Sequence, residues 1–77
     1  MTLALARVQR SYRIVDVHAE DESALAARLR QLGFVPGVEL VCEALAPIFK
    51  HPVLVRLRGV QVALSLAEAQ LVTVEEA

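Results

Sequence analysis

Leu29-Arg30-Gln31-Leu32-Gly33-Phe34-Val35-Pro36-Gly37 is the stretch that decides the fold of this chain. It stops a helix, makes a tight turn and launches a strand. Gly33 stands where the helical spacing of Leu25, Leu29 and Leu32 runs out, and glycine accepts the left-handed conformation that a helix stop requires. With Gly33 as the first residue past the helix, Phe34 folds back onto Leu29, the apolar contact that accompanies such a stop. Val35-Pro36-Gly37-Val38 then suits a type II turn. Proline presets φ at the first central position, and glycine supplies a positive φ at the second.

Upstream, Tyr12 to Val17 is rich in β-branched and aromatic residues and predicts a first strand. Glu20-Asp21-Glu22 opens the helix, with Asp21 as N-cap and the acids suited to the helix dipole. Leu25, Leu29 and Leu32 form one buried stripe, while Arg28 and Arg30 face elsewhere, near the dipole's negative end. Downstream, Val38 to Leu45 reads as a second strand. Leu40, Cys42 and Ala44 share one side, and Glu39, Val41, Glu43 and Leu45 the other, so both faces are partly covered.

Ala46 to Pro52 is a loop bounded by two prolines, and Val53 to Arg58 with Val60 to Leu64 makes a hairpin. Gly59-Val60 as its two-residue loop puts glycine first, as a type II′ turn prefers. Arg58-Gly59 as the loop keeps the same faces, because both loops have even length. Ser65-Leu66-Ala67-Glu68 matches a capping box opening a short helical turn through Gln70, and Val72-Thr73-Val74 gives a last short strand. Five short strands around one thin core predict a mainly β fold, a small closed or nearly closed barrel.

The 77 residues suffice for one domain, 1–77. Eight Lys and Arg against nine Asp and Glu leave no electrostatic case for nucleic acid, and three aromatic residues are too few for base stacking. The lone Cys42 excludes a disulfide within the chain and reads as a small buried apolar residue. The N-terminal run lacks the basic start of a secretory signal, and no apolar stretch is long enough to span a bilayer, so a cytoplasmic location is expected. The apolar share, 56%, is high for a small core and suggests a self-association or partner surface.

Several segments together resemble the FeoA family, small cytosolic proteins of bacterial ferrous iron transport. Residues 29–37 resemble its signature, with Leu29, Leu32, Gly33, Phe34, Pro36 and Gly37 carrying the match. Ala46-Pro47 with Pro52-Val53 resembles the family's proline-bounded loop. Arg58-Gly59 with Val62-Ala63-Leu64 resembles its hairpin, and Glu68-Ala69 with Leu71 to Val74 its ending. The resemblance implies an SH3-like β-barrel and a non-enzymatic accessory role. It also implies contact with FeoB, a membrane permease whose cytosolic part is a GTPase domain. Two departures stand out. Ile48-Phe49-Lys50-His51 replaces the family's shorter Leu-Gly-Asp type segment, and Gln9-Arg10-Ser11 stands where the family often has a glycine before the first strand.

The departing loop is the candidate partner site. Ile48 and Phe49 are adjacent apolar residues in a surface segment, with Pro47, Lys50 and His51 around them. The competing reading folds one of them back to plug the barrel end. Arg56 and Arg58, with Arg10 or Arg13, are candidates for a basic strip. His18 with Glu20, Asp21 and Glu22 offers metal donors, but acids at a helix start already serve the dipole. No metal site, cofactor or catalytic group is therefore assigned. The rivals are an SH3-like module of an iron-dependent transcription regulator, a nucleic-acid-binding barrel and a direct iron carrier. A chain of 77 residues leaves no room for the regulator's DNA-binding domain.

Overall fold

The computed structural model describes residues 1–18, 24–45 and 52–77. In chain order it has a 3₁₀ turn at Leu3–Leu5, β1 (Ser11–Val17), α1 (Ala24–Gln31) and β2 (Glu39–Leu45). β3 (Val53–Leu57), β4 (Val60–Leu64), α2 (Leu66–Gln70) and β5 (Val72–Glu76) follow. The strands form one antiparallel sheet in the order β4-β3-β2-β1-β5. Hydrogen bonding does not close the sheet, since β4 and β5 are its two ends. It curls around one core that holds Tyr12, Ile14, Phe34, Leu40, Cys42, Val55, Leu64, Val72 and Val74.

The helix stop forms as its residues dictate. Gly33 has φ +103°. The Phe34 N–H donates to Leu29 O and the Gly33 N–H to Arg30 O, both at 3.0 Å. This crossed pair satisfies carbonyls that the helix end leaves open. Leu29 and Phe34 are fully buried in the same cluster. In the following turn, the Val38 N–H donates to Val35 O and Gly37 has φ +92°. The Gly37 N–H also reaches Ile14 O at 2.8 Å, so the turn is bonded directly to β1.

The helical stripe differs from the expected one. Leu29 is buried, but Leu25 and Leu32 are exposed and Ala26 is buried instead. The inward line of α1 therefore runs through Ala26 and Leu29, about 60° round the helix from the leucine line. Arg28 reaches Glu68 on α2. Leu32 already lies beyond the last helical residue. The expected N-cap, Asp21, lies outside the described residues.

In β2, the register shifts between Cys42 and Ala44. A bulge adds one residue and reverses the alternation beyond it. Leu40 and Cys42 therefore pair with buried Leu57 and Val55, whereas Ala44 pairs with half-buried Leu54. Simple alternation had placed all three on one side. Val41, set opposite Ser11 and Arg56, is exposed.

The hairpin loop is Arg58-Gly59 and not the expected Gly59-Val60, so Leu57 lies opposite Val60 instead of Val62, and Val55 opposite Val62 instead of Leu64. Both loop residues have positive φ, +51° and +80°, which makes the turn type I′. This turn matches the twist of the strands and leaves Val60 free to pair with Leu57.

The capping box is complete. Ser65 Oγ accepts from the Glu68 N–H at 3.2 Å, and Glu68 Oε1 accepts from the Ser65 N–H at 3.1 Å. The N-terminal segment also belongs to the fold, which its sequence did not reveal. Leu3 and Ala6 enter the core, and the Val74 N–H donates to Met1 O.

Candidate partner-binding surface

The outer sheet face carries a connected row across β2, β3 and β4. Arg56 Nε donates to Glu43 Oε2 at 3.0 Å, and Gln61 Nε2 donates to Glu43 Oε1 at 3.2 Å. Arg56 also donates to the Gly59 carbonyl at 3.1 Å, which ties the row to the hairpin tip. The Arg56 hydrogen bond holds the Glu43 carboxyl below its ordinary range. Arg56 thus braces the turn from its own strand, and Arg58 is presented at the tip.

The basic strip resolves into ion pairs. Arg13 lies between Glu75 at 3.1 Å and Glu39 at 3.4 Å, and Arg10 lies 3.9 Å from Glu76. Such exposed pairs add little stability, but they cancel the charge of the strip. Arg58 is exposed and has no ion-pair partner among the described residues. The expected recognition residues Pro47, Ile48, Phe49, Lys50 and His51 lie outside the described residues. Among the described candidate partner residues, Arg56 lies in β3 bonded to Glu43 and the Gly59 carbonyl, and Arg58 lies in the hairpin loop.

His18 stands against β5, paired with the Thr73 hydroxyl and 3.6 Å from the Asp16 carboxylate. The acids that would extend this group, Glu20, Asp21 and Glu22, also lie outside the described residues. Among the described residues no three metal donors gather. Cys42 is fully buried, and burial pushes its thiol up. It is a core residue and not an available thiolate.

The polar contact that sequence reasoning missed is Arg28 with Glu68, forty positions apart, which joins α1 to α2. Burial alone would raise the Glu68 carboxyl, but the Ser65 N–H and Arg28 outweigh it and hold the group below its ordinary range. The one available signal was the capping box. It places Glu68 at a helix start packed under the sheet, where a buried carboxylate requires a cation.

A five-stranded antiparallel sheet with a short helix before its last strand defines an SH3-like domain. The FeoA domain model matches residues 1–76, and the chain belongs to the FeoA domain family. It is similar to Stenotrophomonas maltophilia FeoA complexed with zinc, at 36% identity and TM-score 0.87, covering 97% of this chain and 89% of that one. That protein is described as an SH3 domain protein and a candidate activating factor of bacterial ferrous iron transport. The FeoA protein of Chlorobium tepidum has 29% identity and TM-score 0.85, covering 99% of this chain and 70% of that one. ScaR with bound zinc has 25% identity and TM-score 0.83 over all of this chain, which spans 37% of ScaR. No curated protein matches the chain by sequence. Among the described residues no helix is long and apolar enough to cross a membrane.

Proposed function

We propose that this chain is a non-enzymatic accessory protein of bacterial ferrous iron uptake and docks on the cytosolic GTPase part of a FeoB-type permease. The observation that carries the reading is the FeoA domain match along residues 1–76. The geometry is consistent with docking. Arg58 is exposed at a braced hairpin tip, and no buried side-chain polar atom among the described residues lacks a partner. Contact through Arg58 weakens with salt, because it rests on an exposed charge. The test is retention of the folded chain on the immobilised cytosolic domain of the permease. Retention that falls with salt and in Arg58→Ala supports the reading; no retention of folded chain overturns it.

A second reading is an SH3-like module of an iron-dependent transcription regulator, since the same fold forms 37% of the longer, zinc-bound ScaR chain. Retention on the permease domain separates the two, since a regulator module has no use for that surface.

A further inference from the structure

The two ends of the sheet are finished differently. At β5, the Val74 N–H donates to Met1 O at 2.8 Å, the Met1 amine donates to Val74 O at 3.3 Å, and Thr2 bridges Thr73. Glu75 and Glu76 add charge to that strand. At the other end, Val60-Gln61-Val62-Ala63-Leu64 has no charge, proline or glycine. Its register with β3 runs without a shift. A regular, uncharged edge is a template for strand pairing, and charges, prolines and bulges are the usual means of blocking it.

Hairpin geometry identifies the free groups. A two-residue loop is flanked by a hydrogen-bonded pair, so Leu57 with Val60, Val55 with Val62 and Val53 with Leu64 carry the ladder bonds. The N–H and C=O groups of Gln61 and Ala63 point away from β3. Both residues are exposed, and no partner meets those groups among the described residues.

We infer that the β4 edge pairs antiparallel with the same edge of a second copy of this chain, about a two-fold axis at Val62. Gln61 of one copy then opposes Ala63 of the other. Each such pair exchanges two hydrogen bonds, about four in all. This register is the one that uses both free residues on both copies. No like charges meet, because the strand has none. Val60, 61% exposed and thus uncovered in the single chain, comes opposite Leu64 of the second copy. Self-complementarity selects a second copy over an unrelated strand. The inference stands independently of the permease reading.

Sedimentation equilibrium from about 10 µM to about 1 mM tests the pairing, together with amide exchange at the same concentrations. The expected mass rises from one chain toward two. The Gln61 and Ala63 amides gain protection with it, whereas Val60 and Val62 are protected throughout. Ala63→Pro removes the outward N–H without removing a ladder bond. Ala63→Lys, a charge at an exposed position, serves if the proline variant does not fold. Both are expected to keep the single-chain mass with an unchanged thermal transition. A folded wild-type chain that stays at one-chain mass to about 1 mM overturns the pairing. A dimer that survives in folded variants, or whose Gln61 and Ala63 amides exchange as in dilute solution, also overturns it. If the wild type is monomeric and the variants lose only permease binding, the edge takes another protein's strand and self-pairing is refuted.

Discussion

Removing the Glu68 carboxylate is expected to destabilise the domain more than any other change to an acidic side chain among the described residues. The Glu68 side chain is 6% exposed, accepts from the Ser65 N–H and pairs with Arg28. Glu68→Ala removes a charged hydrogen bond to a helix-start amide, worth about 1.5–3 kcal/mol. The Arg28 contribution is smaller, because that side chain is 51% exposed and regains water when its partner is lost. We take about 2 kcal/mol in total. For 77 residues the unfolding entropy is about 0.16 kcal/mol/K, so Tm falls by about 12 °C. Thermal unfolding followed by circular dichroism measures this. Glu68→Gln isolates the charge. The folded carboxyl lies below its ordinary range, so its stabilisation is present above the unfolded pKa and is lost as pH falls through the folded value. The wild type should therefore lead Glu68→Gln at pH 7, and the gap should close as the solution is acidified below about pH 4. A Tm drop under about 3 °C for Glu68→Ala, or a gap that does not narrow in acid, would refute the reasoning.

Three further outcomes follow from individual positions. Gly33→Ala places a side chain at φ +103°, with its Cβ 3.6 Å from Leu57 Cδ2, so conformation and not space sets the cost; a loss of about 1–2 kcal/mol is expected in urea unfolding. Arg58→Asn puts a residue suited to the left-handed conformation at φ +51° and should raise Tm by about 3 °C while lowering retention on the permease domain. Native Cys42 should resist a thiol reagent near neutral pH, because it is fully buried with a raised thiol, and should react stoichiometrically in denaturant.

Legibility followed the range of each interaction. Gly33, Pro36-Gly37 and the Ser65–Glu68 box act within a few residues, and each forms as its local chemistry requires. Hairpin parity was readable because an odd slip exposes Leu57, Val55 and Val62 together. The choice between the two even registers was not readable, since it depended on Arg58 accepting φ +51°. The bulge at β2 was hidden because it appears only when β2 lies against β3. Of the candidate site, the hairpin arginines could be named, but the cancellation of Arg10 and Arg13 could not. That depends on Glu75 and Glu76 arriving from the far end of the chain.

The sequence by itself determined where α1 stops, where α2 starts, the turn at residues 35–38 and the parity of the β3–β4 hairpin. Those choices are made by backbone dihedrals and side-chain bonds a few residues apart, so no distant partner is consulted. Tertiary structure alone decided the strand order, the burial of Ala26 beside Leu29, the meeting of Arg28 with Glu68, and the use of Leu3 and Ala6 in the core. It also decided that β5 is bonded to the N-terminal segment, while the β4 edge meets no partner among the described residues. Each of these is a meeting of residues far apart in the chain, and their pairing energy exists only once the sheet has curled.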